Sequence, residues 1–174
     1  MKDIVANIFA VILAVLFMFF VPLSIILLST DKISQRYVDN AMEKFKNTCL
    51  TSGEITEESY QRLVSDLGSS GYSFHIELEH QGVVNYLDEN NKASTRYMGH
   101  GNDEIVETIS SHITNDGTIL YGIPYKMQQG DYLKINIVST DSTYGSKIAN
   151  TLTFGAIKQK YLYGMDSGMV RTDG

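Results

Sequence analysis

The stretch IVANIFAVILAVLFMFFVPLSIILL, residues 4–28, decides how the rest of this chain is read: twenty-five consecutive positions carry no charge. At 1.5 Å of rise per residue, a helix of that length extends roughly 37 Å, enough to cross a hydrocarbon core of about 30 Å with some tilt. Asn7 interrupts the run near one end, and Pro22 and Ser24 near the other. A proline is tolerated in a membrane helix because the freed carbonyl finds a local partner. The run is too long for the apolar region of a cleavable signal peptide, and residues 27–32 (LLSTDK) lack the small-residue cleavage pattern. A buried helix of a soluble protein would carry polar positions on one side. A membrane anchor over 1–30 is the expectation.

Downstream, the chain turns charged at Asp31 but meets no helix breaker until Gly53. Ile33, Tyr37, Ala41, Phe45 and Cys49 recur every four residues, with Val38 and Met42 beside them, and Lys32, Arg36, Asp39, Glu43 and Lys46 fall mostly off that stripe. The pattern predicts that the anchor helix continues as a stalk over 31–52, to a total of roughly 72 Å. The stripe packs the stalk on the head, and Cys49 reads as a small buried hydrophobe.

The head, 31–174, reads as one α+β domain with a mostly antiparallel sheet and short helices. Gly53 suits the left-handed position after a helix, and Thr56 caps a short helix whose apolar face is Tyr60, Leu63, Val64 and Leu67. Tyr72, Phe74, Ile76 and Leu78 alternate with Ser73, His75, Glu77 and Glu79, as in a half-buried strand. A turn is expected at Gln81-Gly82, a second strand at 83–87, and a polar loop over 88–102. Asn102 or Asp103 caps a helix with the face Ile105, Val106, Ile109 and Ile113, ended by a turn at Asp116-Gly117. Strands follow at 118–121, 125–127 and 131–139, the last two joined as a hairpin through Gln128, Gln129 and Gly130. Tyr144, Ile148 and Leu152 suggest a short helix and 156–163 a last strand. Residues 164–174 have little to bury and read as a loose tail.

The chain has 174 residues, a formal net charge of −6 and one cysteine. That balance excludes a nucleic-acid binder, which needs clustered cations, and a disulfide framework or Cys-based zinc site. The four histidines, His75, His80, His100 and His112, show no metal-ligand spacing, and no nucleophile, phosphate-loop or CxxC motif occurs. No cofactor, no metal and no enzymatic activity are expected. Eleven tyrosines, several in the C-terminal half, suit sheet packing and interfaces alike.

An apolar N-terminal helix running on into a small α+β head resembles type IV pilins. Local stretches are similar to the TadE-like pseudopilins of Gram-positive bacteria: YVDNAMEKFK at 37–46, SGEITEESY at 52–60, GYSFHIELEH at 71–80 and YKMQQGDYL at 125–133. The resemblance implies a minor pilin or pseudopilin of a Tad-type pilus, or of a related secretion or conjugation machine, with the head outside the cytoplasmic membrane. The basic residues flanking the anchor, Lys2 against Lys32 and Arg36, would by themselves place the head inside. Two features depart from the pilin pattern. Only Met1, Lys2 and Asp3 precede the apolar run, and no acid occurs between Ile4 and Thr30, where type IV pilins carry a glutamate. The partners implied are the lipid bilayer and other pilin-like subunits, as homo- or hetero-oligomers through the N-terminal helix. Ala6, Ala10 and Ala14 put a small residue at every fourth position of that helix and permit close helix approach. The alternative class is a membrane-tethered binding or sensing module.

Overall fold

The computed structural model describes residues 2–87, 93–113 and 119–174. Helix α1 runs unbroken over Lys2–Ser52, with Pro22 inside it. It stops where the chain needs a left-handed residue: Gly53 has φ +75°, and its N–H donates to the Cys49 carbonyl at 2.9 Å. After a two-residue strand β1 (Glu54–Ile55), helix α2 (Glu57–Gly68) opens on a reciprocal cap. The Ser59 N–H donates to Thr56 Oγ1 and the Thr56 N–H to Ser59 Oγ, each at 3.1 Å.

Strands β2 (Phe74–Leu87), β3 (Ala93–His100), β7 (Tyr132–Ser142) and β8 (Tyr161–Met169) form an antiparallel sheet in the order β3-β2-β7-β8. Between them in sequence lie helix α3 (Asn102–Ile109), short strands β4 (His112–Ile113), β5 (Ile119–Leu120) and β6 (Tyr125–Lys126), and helix α4 (Tyr144–Leu152). One sheet face carries Ile76, Leu78, Leu133, Ile135, Ile137 and Leu162, all buried. Against it lie Val38, Ala41, Met42, Phe45, Cys49 and Leu50 of α1, with Leu63 and Leu67 of α2 and Ile105 and Ile109 of α3 completing the core. Removal of these side chains from water is the main term holding the head together.

Several expectations are corrected. The α1 stripe is rotated: Ala41, Phe45 and Cys49 are buried, but Ile33 and Tyr37 are 58% and 51% exposed, while Asp31, Ser34 and Val38 face inward. A strict four-residue spacing advances about 40° per step around a 3.6-residue helix, so a stripe anchored at Cys49 has left the core face by Ile33. No turn forms at Gln81-Gly82. β2 passes straight through, pairing with β7 over Phe74–Gln81 and with β3 over His80–Leu87. The second half of the expected 88–102 loop is β3, in which Arg96, Tyr97, Met98 and Gly99 are all exposed; 88–92 lie outside the described residues. Asp116-Gly117 and Thr118 also lie outside them.

Helix α3 begins after Gly101 without a side-chain cap, because Asn102 Oδ1 accepts instead from the Leu78 N–H at 3.2 Å on the free edge of β2. The helix ends at Ile109, and Ile113 stands on β4 paired with Ile119. β6 makes no hairpin with β7. It pairs with β1 (Ile55↔Tyr125), and residues 128–130 serve only as the turn into β7. In α4 the residues that suggested the helix, Tyr144, Ile148 and Leu152, face outward, and Gly145 and Ser146 face in.

The tail is not loose. Last strand β8 extends to Met169 on β7, Val170 is buried, and the Arg171 N–H donates to the Leu50 carbonyl at 2.9 Å. Glycines hide this contact from a sequence reading. A Cβ on Gly164 would sit 3.1 Å from Met42, and one on Gly168 2.4 Å from Leu50 Cδ1, so α1 lies directly on the strand backbone.

Candidate functional site

The feature with a function to explain is the first half of α1. Ile4–Leu23 has a mean hydropathy of 2.9, and none of it is buried within the chain. This one N-terminal helix is long and apolar enough to span a membrane. Ala6, Ala10 and Ala14 are exposed on it. On its flank Val11, Ile12, Val15, Leu16, Phe19 and Leu23 line an apolar groove. Hydroxyls at the end of the apolar run are satisfied by the helix itself: Ser29 donates to the Ile25 carbonyl at 2.8 Å and Thr30 to the Ile26 carbonyl at 3.0 Å.

The head begins with a polar lock on the next residue. Asp31 is buried; its carboxylate accepts from Thr143 Oγ1 at 2.7 Å and from the Gly145 N–H at 3.2 Å. The carboxylate thereby sits at the N-terminus of α4, where unpaired N–H groups and the helix dipole favour an anion. Position 145 must be glycine for this fit, since a Cβ there would lie 2.6 Å from Asp31 Oδ2. Higher up, Gln35 Nε2 donates to the Tyr163 carbonyl at 2.6 Å, and Lys46 pairs with Asp166, whose carboxyl is held below its usual range by that lysine. The apolar span and the first elements of the head thus share one continuous helix.

A second polar cluster closes the far end of the head. His80 is buried, its Nε2 2.9 Å from Asp131 Oδ2 and its Nδ1 2.9 Å from the Tyr125 hydroxyl. A carboxylate only accepts, so Nε2 carries the hydrogen, and in the neutral ring Nδ1 accepts from Tyr125. Asp131 also accepts from the Gln128 N–H at 2.7 Å and the Val83 N–H at 3.0 Å. Burial opposes its charge, but these donors outweigh it and hold the carboxyl below its ordinary value. Burial, with Glu104 and Asp131 nearby, pushes the Tyr125 hydroxyl up to about 12. His100 stacks on His80 at 5.5 Å and pairs with Glu104 at 2.9 Å. The arrangement stitches the 128–131 turn to β2 and β6. It holds no activated nucleophile, and no three metal-binding side chains group together among the described residues. His80 thus lies inside the head, whereas His75, on the same strand, is exposed. Cys49, buried against Ser59, has its thiol pushed up to about 12 by desolvation, which makes it unreactive.

The outer sheet face stays open. Cross-strand pairs stand opposite each other on it, Lys134 Nζ 2.8 Å from Glu79 and Asn136 Nδ2 2.9 Å from Glu77. The lysine holds the Glu79 carboxyl below its usual range. Beside them a groove of about 610 Å³ runs to the start of α3, lined by His75, Glu77, Asp103, Glu104 and Met165 among others. Sequence reasoning missed Asp31 and Asp131, which looked like any surface acid. His80 did carry a signal, since it continues the inward parity of Ile76 and Leu78. No protein-family model, no curated protein and no solved structure matches this chain.

Proposed function

We propose that this chain is a membrane-anchored, pilin-like structural subunit, a minor pilin or pseudopilin of a Tad-type or related secretion machine, with its head outside the cytoplasmic membrane. The observation that carries the reading is the division of α1: Ile4–Leu23 in its first half is apolar and not buried within the chain, while its second half is the spine of the head. Such a helix needs an apolar surrounding along its full length. Lipid supplies it before assembly, and the helices of neighbouring subunits supply it in a filament. Ala6, Ala10 and Ala14 allow those helices to approach closely. The local similarity to TadE-like pseudopilins supports the same role and the outward orientation, and nothing in the role requires catalysis.

The test replaces residues 4–28 by an unrelated membrane helix of equal length. Loss of co-purification with other pilus subunits, with the head still folded, is the expected result. Normal assembly with the exchanged helix would overturn the proposal. The second reading, a tethered binding or sensing module, is favoured by the groove at His75, Glu77 and Glu104. In that case the exchange is harmless, and charge reversal of the groove acids abolishes binding instead.

A further inference from the structure

The connection between β7 and β8 lies at the end of the head nearest the anchor. The direction of β8 along α1 fixes this. Gln35 reaches Tyr163, Val38 and Met42 flank Gly164, and Leu50 packs on Gly168 and accepts from Arg171. β8 therefore climbs α1 away from the apolar span, and antiparallel β7 descends toward it. Residues 143–160 must turn at the bottom, and the Asp31 lock on Thr143 and Gly145 pins that turn three residues beyond Leu28.

This connection is compact and has an unusual surface. The Thr143 N–H donates to the Lys160 carbonyl at 2.7 Å and the Lys160 N–H to Ser146 Oγ at 3.0 Å, so its two ends are clamped together. On the outside, α4 presents Tyr144, Ile148 and Leu152, one per turn, all exposed. The turn that follows adds Ile157 and Phe154, the latter 99% exposed. Phe154 is held at φ +51°, a left-handed conformation that bulky residues avoid. The Gly155 N–H to the Asn150 carbonyl at 2.8 Å and Asn150 Nδ2 to the Ile157 carbonyl at 2.6 Å keep it there. Around these apolar side chains stand Lys147, Lys158 and Lys160. From Ser142 to Met165 there is no acidic residue, in a chain whose net charge is −6. Of the acids beside the segment, Asp141 lies 3.5 Å from Lys147 and Asp31 is occupied by the lock.

We propose that α4 and the 153–160 turn are a second membrane contact, a foot that lies in the headgroup layer of an anionic bilayer beside the spanning helix. Aromatic and aliphatic side chains enter the acyl boundary while lysines meet lipid phosphates, the combination that interfacial segments use. The partner is lipid because the patch is continuous with the point where α1 leaves the membrane, and its charge is opposite to that of the rest of the head. The foot fixes the tilt of the head at the bilayer. This inference rests on the reading of α1 as a membrane anchor.

The chain contains no tryptophan, so single reporters test the idea in the full-length protein. Phe154→Trp probes the foot, Phe17→Trp the span, and Tyr132→Trp the far end of the sheet. Each is reconstituted in vesicles of phosphatidylcholine with phosphatidylglycerol, carrying brominated acyl chains as quenchers. The expected result is that the Phe154→Trp reporter is blue-shifted and quenched several-fold more than the Tyr132→Trp reporter. Replacing Lys147, Lys158 and Lys160 together by Ala, or using phosphatidylcholine alone, weakens the contact roughly 100-fold and returns the signal toward the Tyr132→Trp level. Quenching at 17 but not at 154 would overturn the foot while leaving the anchor intact. Absence of quenching at 17 would overturn the anchor and the foot with it. A blue shift at 154 without lipid quenching would mean a protein contact, such as a second copy of the chain, and would also refute the proposal.

Discussion

Replacing Asp131 tests whether the far end of the head is held by one ionised carboxylate. Asp131 is buried and accepts three hydrogen bonds, from the N–H groups of Gln128 and Val83 and from His80 Nε2. Asp131→Ala orphans all three donors; at about 1–3 kcal/mol per unsatisfied group, with partial relief by water, the loss is roughly 3–5 kcal/mol. For a head of this size, that lowers Tm by roughly 8–15 °C. Asp131→Asn keeps the shape but turns one acceptor into a donor facing an N–H, and costs about 1–3 kcal/mol. The carboxyl is held below its ordinary value in the folded state. Its contribution is therefore complete above about pH 4, the ordinary carboxylate range, and fades as the pH falls through the lower folded value. The gap between parent and Asp131→Asn should be full at pH 7 and should narrow below pH about 4. The measurement is thermal exposure of buried Cys49 to dithiodipyridine, a reagent that reacts with thiols at acidic as well as neutral pH, using full-length protein in detergent. Labelling takes place at the temperature and pH under test. A Tm for Asp131→Ala within about 2 °C of the parent, or a gap independent of pH, would refute the reasoning.

Two further outcomes follow from the same geometry. Gly53→Ala forces φ +75° on a residue with a Cβ and drives that atom to 2.2 Å from the Thr172 carbonyl oxygen; a loss of about 2–4 kcal/mol is expected, read by the same Cys49 exposure. Truncation after Met169 removes buried Val170 and the Arg171 bond to Leu50, and should lower Tm by roughly 5 °C or more, whereas a loose tail could be removed without effect.

How much of this was legible in the sequence depended on whether burial used side chains. The Thr56 cap, the stop at Gly53 and the inward row Leu133, Ile135 and Ile137 follow from residue type and period, and the structure places them so. The β8 tail did not, because its contact with α1 is made by the absence of side chains at Gly164 and Gly168. β3 did not either, since four consecutive exposed residues, Arg96 to Gly99, leave no alternation to read. The α1 stripe was misplaced toward Ile33 because a spacing of four only approximates 3.6, and because the residues truly facing inward there, Asp31 and Ser34, are polar. The polar locks join residues far apart in the chain, Asp31 to Thr143 and His80 to Asp131, and such pairs leave no local trace.

The continuity of α1 bears on which functional reading is preferable. A module that only needs to stay near a membrane is served by a flexible linker rich in Gly or Ser, which leaves the head free to reorient. Here no glycine or proline occurs between Leu23 and Ser52, and the segment that leaves the anchor supplies Val38, Met42, Phe45 and Leu50 to the core of the head. The head cannot turn relative to the anchor without breaking its own core or releasing Asp31 from α4. Rigid coupling of that kind costs a tethered binding module its freedom to reorient. For a subunit that must be drawn from lipid and seated against neighbouring helices, it ties the position of every head to the position of its helix. Physical economy therefore favours the assembly subunit over the tethered module.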